Sequence, residues 1–505
     1  MESRTQKSAR NYFYSIVSQV LLQVIKFITV TAFLKTFGAD YLGIDNLFVN
    51  LLTVISLADL GLASAMAYSY YGPLAEGNEE KLAALTTYFQ KVYRGIILLI
   101  GIIGLLVMLL LPYIVKLDTE IPHLRVYYIL ALLNTMLSYI CAYKATVLTA
   151  DQNGYMLTRI DIVANILMAI VRLFVILVFK SYFLFLLTAV IRTILGNVAY
   201  SIVSDRQYSF ISEKKALSET ERKEVIGAVI PSFVNKFCDV MGNTTDYLLT
   251  SVMIGTLTVG YYANYSTIQK IATLPYTLLT SAITSSVGNL ISSEDGDMRY
   301  EVYQQVRICG FISCAVIIPC YSSLVGSFIK LWAGDEYVLT MSVLAAICIN
   351  MFTLYYEQTL LPFHDAMGLF RYTKKIKLIQ AFLNLGLSIL LGHLIGFGGI
   401  ILASALSRLM TSGWYVPKIV FAKCFSRSPA KYLRDYIFSG AYTCLLSLVC
   451  IFIVYLFNIK TWMGWICEAI GILSFCIILT LPIASRMKGS EGLVSKFHII
   501  FSKRV

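Results

Sequence analysis

The chain has 505 residues, of which 58% are hydrophobic and 14% charged, and its mean hydropathy is +0.72. A soluble core of this size cannot bury so much apolar surface, so the composition excludes an ordinary soluble domain. The net charge of +12 indicates basic rims on membrane helices that face anionic lipid headgroups, and not a nucleic-acid-binding surface.

Hydropathy predicts about fourteen transmembrane helices, because a span needs roughly 20 mainly apolar residues to cross the bilayer. The predicted fold class is therefore an all-α polytopic membrane protein. In chain order the predicted spans are 11–35, 41–70, 86–116, 123–149, 157–180, 182–204, 224–254, 260–292, 300–330, 338–364, 374–396, 398–422, 433–457 and 462–486.

The longest polar break, 205–223, follows six predicted spans. We interpret it as a cytoplasmic linker between an N-terminal six-helix lobe (1–204) and a C-terminal six-helix lobe (224–424). The remainder, 425–505, holds two additional transmembrane helices and a basic cytoplasmic tail. Because six is an even number, both lobes begin on the same side of the membrane, as in transporters built from parallel repeats.

A short glycine motif recurs in the two lobes. Gly38-x4-Gly43 joins spans 1 and 2, and Gly255-x4-Gly260 joins spans 7 and 8. The glycines permit a tight outer turn between antiparallel helices. Chance recurrence of glycine pairs at hairpins is the alternative interpretation.

Basic residues set the expected orientation, because they favour the cytoplasmic side of short loops. With the N-terminus inside, most of the 41 lysines and arginines fall on the inner side. Both termini are thus expected in the cytoplasm. The outer ends then hold only Lys35, Lys116, Arg125, Lys180, Lys330 and Lys460.

Charged residues also occur well inside the predicted spans, where each costs at least about 2.5–3.5 kcal/mol on insertion scales. They are therefore expected to face one another or water. The cations are predicted to line one water-filled cavity that binds the substrate: Lys26, Arg172, Arg192, Lys236, Lys270 and Arg408. The clearest acids are predicted to serve cation coupling or gating: Asp59, Asp239, Asp246 and Glu357.

Polar stripes support a cavity. In span 7, the side chains of Lys236, Asp239, Asn243, Asp246 and Thr250 share one helical face. The alternative is that Lys236 and Asp239, one turn apart, form a structural ion pair that only holds helices together. Shorter stripes on spans 1 and 2 comprise Gln19, Gln23 and Lys26, and Asn46, Asn50 and Thr53.

Several classes of chemistry lack their motifs. The chain has no GxxxxGK[ST] loop for ATP, and its four histidines show no ligand spacing for a metal. The eleven cysteines lie almost entirely within predicted helices and without CxxC pairs, so we interpret them as apolar packing residues. No cofactor or metal is therefore predicted, and transport is favoured over catalysis.

Motifs in both lobes resemble the signature of Wzx-type polysaccharide flippases, which belong to the multidrug/oligosaccharidyl-lipid/polysaccharide exporter superfamily. The span count and pattern match over essentially the whole chain. In the first lobe the matching residues are Ala58-Asp59-Leu60-Gly61-Leu62-Ala63-Ser64-Ala65, Pro73-Leu74-Ala75-Glu76 and Glu80-Lys81. In the second lobe they are Lys236, Asp239, Asp246, Ile254-Gly255, Gly260-Tyr261-Tyr262-Ala263-Asn264-Tyr265 and Leu331-Trp332-Ala333-Gly334.

This resemblance implies two six-helix lobes packed as a V, as in MATE transporters, with two extra C-terminal helices. It also implies alternating-access export of an undecaprenyl-diphosphate-linked oligosaccharide across a bacterial plasma membrane, for O-antigen (lipopolysaccharide) or capsule synthesis. The excess of buried cations suits a diphosphate. The protein is expected to be a monomer, with H+ or Na+ as candidate coupling ion and a polysaccharide polymerase as candidate partner.

Three alternatives stay open at this point. A peptidoglycan-precursor flippase of the same superfamily differs mainly in the span 2 signature. A cation-coupled drug or metabolite antiporter would share the architecture, but the cationic excess suits an anionic substrate better. A membrane polysaccharide polymerase is the enzyme alternative, and the short predicted outer loops leave little room for its catalytic platform.

Overall fold

The computed structural model forms two compact units, Met1–Ala263 and Asn264–Val505. Asp59 lies outside the described residues, as do the side chains of Lys236 and Asp239 on a helix whose backbone is described. The described ranges are 4–56, 62–116, 121–280, 287, 296–457 and 460–491.

The described part of the first unit is built from helices. In chain order they are α1 (Arg4–Ile55), α2 (Leu62–Glu76), α3 (Glu79–Ile114), α4 (Leu124–Ser138), α5 (Ala142–Ala150), α6 (Gly154–Phe174), α7 (Tyr182–Gln207) and α8 (Glu219–Met253). The next helix, α9 (Thr256–Ala272), begins in this unit and ends in the second.

Helices also make up the described part of the second unit. They are α10 (Gly296–Trp332), α11 (Met341–Glu357), α12 (Leu361–Ala366), α13 (Phe370–Ile395), α14 (Phe397–Met410), α15 (Ser412–Cys424), α16 (Ala430–Phe457) and α17 (Trp462–Ser485).

Eight of the described helices are long and apolar enough to cross a membrane, and α4 with α5, bent by 42°, makes a ninth when counted as one span. The predicted all-α polytopic class is confirmed. The helix α8 does not qualify by composition, because the polar stripe that contains Asp246 lowers its hydropathy. Such a helix crosses a membrane only where its polar face is covered by protein or water.

Apolar side chains on the outside of the helices identify the lipid-facing surface. On α3, Leu98, Ile102, Leu105 and Leu109 recur at helical spacing and are all exposed. The apolar window of α10, in contrast, is 67% buried. We therefore place α10 at the centre of the second unit, where it packs against α16 and α17.

Gly38 divides α1 into two segments. Its φ of +82° is non-helical, and glycine adopts this region without the strain that a Cβ would introduce. A continuous helix of 52 residues would be roughly 78 Å long, more than twice the roughly 30 Å of the hydrocarbon core. The break thus divides α1 between the first predicted span (11–35) and the first part of the second (41–70), which α1 follows to Ile55. Its counterpart, Gly255, also has a positive φ, of +143°, between α8 and α9.

The second glycine of each motif mediates a close backbone contact within the first unit. A Cβ on Gly43 would lie 2.3 Å from the carbonyl oxygen of Thr256, and a Cβ on Gly260 would lie 2.2 Å from that of Ala39. The contact is reciprocal, because each glycine meets the carbonyl at the start of the other helix. Small residues permit such approach between membrane helices.

The segment that links α7 to α8 is docked on the first unit. Phe210 and Leu217 are buried, and the Thr87 hydroxyl donates to the carbonyl of Glu213 (3.3 Å). The hydroxyl of Tyr208 donates to Asp151 (2.8 Å), and burial raises the pKa of Tyr208. The segment predicted as a linker therefore has its own packed contacts.

A capping box starts α8. The hydroxyl and backbone N–H of Ser218 both donate to the Glu221 carboxylate, and these bonds lower the pKa of Glu221. The hydrogen bonds stabilise the charged form of Glu221. Their contribution to folding stability is therefore present above the unfolded pKa of Glu221 and is lost as the pH falls through its folded pKa.

We expect Gly43→Ala and Gly260→Ala to destabilise the protein by about 1–3 kcal/mol, because the added Cβ meets backbone atoms that cannot move aside. Gly242→Ala is the matched control, since it lies in α8 with no atom near its Cβ position and should be neutral or stabilising by up to about 1 kcal/mol. Thermal unfolding in detergent measures the difference. Equal melting temperatures for all three variants would contradict the close contact.

Candidate substrate-binding site

A cavity of about 490 Å³ lies within the first unit. We call it the Asp45 cavity. Its volume is within the range of roughly 300–1,000 Å³ typical of small-molecule sites. Its polar lining residues are Asp45, Thr53, Ser56, Asn134, Thr135, Tyr139 and Arg172, and its aromatic ones include Phe48 and Phe185.

Arg172, predicted from sequence as a substrate-binding cation, lies in the wall of this cavity. Its Nε donates to the Thr188 hydroxyl (3.1 Å), and its guanidinium lies 5.6 Å from the centre of the Phe185 ring. None of the residues that the structure describes accepts a hydrogen bond from the two Nη atoms. These donors are therefore available to a ligand.

Asp45 supplies the negative charge of the cavity. The hydroxyl of Tyr182 donates to its Oδ1 (3.2 Å), and the cations acting on it electrostatically are Arg172 and Lys26. Asp45 lies seven residues from the break at Gly38, so it is roughly 10 Å along the helix from that end. The cavity thus contains charges of both signs close together.

A second charged group lies beside the Asp45 cavity and is formed by side chains of α6 and α7. Arg192 pairs with Asp161 at 2.5 Å, and the Tyr200 hydroxyl donates to the same oxygen (2.5 Å). Arg192 also acts electrostatically on Arg172. The two arginines predicted from the first lobe are therefore neighbours, and one of them already has a carboxylate partner.

Part of the wall of the Asp45 cavity is neutral and polar. Asn134 accepts a hydrogen bond from the Thr193 hydroxyl at its Oδ1 (2.7 Å), and among the described residues nothing accepts from its amide nitrogen. Thr53 donates to the carbonyl of Val49 in its own helix. This wall presents hydrogen-bonding groups without net charge.

In the second unit, two predicted residues are paired with each other. Arg408 lies 3.5 Å from Glu357, and each side chain is 12% exposed. The guanidinium also donates to Asn350 (3.0 Å) and Thr353 (2.7 Å). A predicted substrate-binding cation and a predicted coupling acid thus share one site.

The second unit contains a further buried pair, whose arginine is more deeply buried than Arg408. Arg307 on α10 pairs with Asp435 on α16, with exposed fractions of 4% and 16%. Both residues were absent from the predicted site. Because so little of either side chain reaches solvent, we interpret this pair as structural.

Among the remaining predicted residues, Lys26 acts electrostatically on Asp45 and so lies near the Asp45 cavity. Lys26 and Lys270 are exposed, and Asp246 is buried (6% exposed). Whether the six cations share one cavity stays a prediction, because the side chain of Lys236 is outside the described residues. On α1, Asn46 and Asn50 donate to carbonyls one turn earlier.

Asp45, Asp161 and Asp435 were missed as candidate residues. Each lies within a few residues of the beginning of a predicted span, so the sequence pattern placed it at the membrane rim. For Asp161 a signal was available, because this acid is flanked on both sides by apolar residues in Ile160-Asp161-Ile162. Asp45 precedes Asn46 and Asp435 follows Arg434, so their immediate neighbours carried no such signal.

Solved structures share this fold. The lipid II flippase MurJ in an inward closed conformation aligns with a TM-score of 0.67 at 15% identity, covering 94% of this chain and 98% of that one. An inward-facing multidrug resistance MATE family transporter aligns with a TM-score of 0.58 at 13% identity, covering 83% and 95%. A MATE structure in a bent conformation gives 0.54 at 12% identity, covering 87% and 96%. The chain is thus a multi-pass membrane protein with the fold of MurJ and the MATE transporters.

A family model described as "Polysaccharide biosynthesis protein" matches residues 80–341. The match covers more than half of the chain, which therefore belongs to this polysaccharide biosynthesis protein family. No curated protein matches the sequence.

The Arg307–Asp435 pair can be tested for a structural role. We expect Arg307→Met to cost about 3–5 kcal/mol by leaving a buried carboxylate unpaired, and Arg307→Met with Asp435→Leu to restore most of the loss. Lys330→Met is the control, because its pair with Asp335 is 53% and 70% exposed and is worth about 1 kcal/mol or less. Unfolding in mixed micelles measures all three. A double variant as unstable as the single one would contradict the interpretation.

Proposed function

We propose that the protein is a flippase that moves an undecaprenyl-diphosphate-linked oligosaccharide from the inner to the outer leaflet of a bacterial plasma membrane, for O-antigen or capsule synthesis. Membership of the polysaccharide biosynthesis protein family, together with the fold shared with a lipid II flippase along 94% of the chain, is the observation that carries the proposal.

The charges within the helices support an anionic, polar substrate. A polyprenyl chain can stay in lipid, so only the diphosphate and sugars need a polar route. Guanidinium groups bind phosphate through paired N–H donors. Arg172, whose Nη donors have no acceptor among the described residues, and the neighbouring Arg192 are suited to this role.

The other predicted cations, Lys26, Lys236, Lys270 and Arg408, are proposed to contribute further contacts along the route. The acids Asp59, Asp239, Asp246 and Glu357 are proposed to couple transport to H+ or Na+ or to act in gating. The pairing of Glu357 with Arg408 supports this assignment, because a carboxylate that exchanges partners can take up a cation.

A peptidoglycan-precursor flippase is the second candidate. The structure of the lipid II flippase MurJ is the observation that favours it, although 15% identity reports on fold and not on substrate. A drug antiporter shares the fold of the MATE structures. Its cationic substrate would fit less well beside Arg172 and Arg192.

Purified protein in lipid vesicles tests the function. We expect it to move lipid-linked oligosaccharide extracted from the producing cells, so that a membrane-impermeant sugar oxidant modifies almost the whole pool and not only the outer-leaflet share.

The double variant Asp239→Asn with Asp246→Asn tests coupling in the same vesicles. It should remove any dependence of the flipping rate on an imposed H+ or Na+ gradient.

Parallel vesicles containing lipid II distinguish the candidates. Movement of lipid II alone would establish the second candidate, and movement of neither lipid by folded protein would refute both.

Arg172→Ala should slow the initial rate of flipping by about tenfold or more, because a charge-assisted hydrogen bond is worth about 1.5–3 kcal/mol.

Alternating access predicts that the helix ends around Gly38 and Gly255 separate during each cycle. Cysteines introduced at positions 39 and 256, in place of Ala39 and Thr256, can be bridged by a short thiol-reactive reagent that a reductant cleaves. We expect the bridge to block flipping until it is reduced. The reciprocal contact of Gly43 and Gly260 supports the choice of positions.

Each single-cysteine variant treated in the same way is the control for this bridge. It also controls for reaction at the exposed native cysteines, Cys444 and Cys467. Full flipping by the bridged protein would exclude separation of these ends and would favour a static groove along which the headgroup slides.

A further inference from the structure

The Asp45 cavity combines features that a diphosphate site would not have. Asp45 places a carboxylate in its wall, and like charge opposes a phosphate at that position. The cavity also has a neutral wall around Asn134 and Thr135 and an aromatic wall that includes Phe185. This mixture is suited to a ligand that donates and accepts hydrogen bonds and has an apolar face.

A sugar ring has these properties. Its hydroxyl groups can donate to the carboxylate of Asp45 and accept from the amide nitrogen of Asn134. The C–H face of the ring can pack on the Phe185 side chain. A volume of about 490 Å³ is of the size that such small ligands occupy.

The donors and acceptors are already oriented. The Tyr182 hydroxyl occupies one oxygen of Asp45 (3.2 Å), which fixes the carboxylate. The Thr193 hydroxyl donates to the Oδ1 of Asn134 (2.7 Å), which fixes the orientation of the amide. The amide nitrogen is a donor, and it has no acceptor among the described residues. Orientation by neighbouring side chains reduces the entropic cost of binding.

We infer that the Asp45 cavity binds the sugar ring adjacent to the diphosphate of the substrate, and that Asp45 and Asn134 contact the sugar while Arg172 reaches the diphosphate. This inference rests on the proposed function. It assigns the cavity within the first unit to saccharide recognition and separates that task from charge neutralisation.

Two ligands made from one source test the assignment. The first is the lipid-linked oligosaccharide extracted from the producing cells, with 32P in its diphosphate. The second is the bare polyprenyl diphosphate obtained from the same material by mild acid cleavage of the sugar–phosphate bond. Equilibrium binding of both to the purified full-length protein in detergent is measured for each variant.

We expect Asp45→Ala and Asn134→Ala each to weaken binding of the glycosylated lipid by about tenfold. Neither should weaken binding of the bare diphosphate, and Asp45→Ala should strengthen it, because a carboxylate that opposes phosphate is removed. Arg172→Ala should weaken both ligands. Asn384→Ala is the control, because Asn384 is also a helical asparagine bonded to a hydroxyl, that of Ser404 (2.8 Å), but lies in the second unit. It should change neither affinity.

The outcomes are separable. An equal loss for both ligands in folded Asp45→Ala and Asn134→Ala would assign the cavity to the diphosphate and overturn the inference, and no loss for either ligand would also overturn it. If the wild-type protein bound the glycosylated lipid no better than the bare diphosphate, the sugar assignment would fail even where flipping is observed. If the wild-type protein bound neither ligand, the proposed function itself would fail.

Discussion

Ionisable side chains inside a hydrocarbon layer must find their partners within the protein, because no water is present there to solvate them. In the described membrane helices, several charged side chains meet this constraint by forming ion pairs between two helices. The two helices are either neighbours in a hairpin or distant in sequence. Arg192 on α7 pairs with Asp161 on α6, and Arg408 on α14 pairs with Glu357 on α11. Which helix faces meet is therefore determined as much by charge as by apolar packing, since lipid tails compete equally well for apolar side chains.

Hydropathy alone located several of the spans closely. The prediction of 462–486 compares with Trp462–Ser485 for α17, and that of 374–396 compares with Phe370–Ile395 for α13. The depth of a residue in the membrane is a local property of the sequence, so it could be predicted. The partner of a charged residue is set by the register between helices, and nothing in a single helix specifies it. For this reason the sequence identified Arg192 but not its pairing with Asp161, which lies near the start of a predicted span and was placed at the membrane rim.

The glycine motifs show the same division between local and tertiary information. The sequence indicated a tight turn at Gly38 and Gly255, and both have positive φ. The second glycine of each motif has a different role, which is to let Gly43 and Gly260 approach the carbonyls of Thr256 and Ala39. A spacing of five residues cannot distinguish a turn residue from a contact residue, because the contact exists only once the two helices are packed.

Under the proposed function, the paired charges also bear on how an anionic headgroup could enter the membrane and leave again. An arginine paired with a carboxylate is nearly neutral as a unit, which makes the empty site stable in the hydrocarbon layer. A diphosphate presents the same kind of anionic oxygens to the guanidinium, so it can replace the carboxylate without leaving the arginine unsatisfied. The displaced carboxylate, Asp161 or Glu357, then lacks its cationic partner. A proton or a sodium ion can neutralise it, and this exchange would link substrate entry to cation uptake without any ATP-hydrolysing machinery.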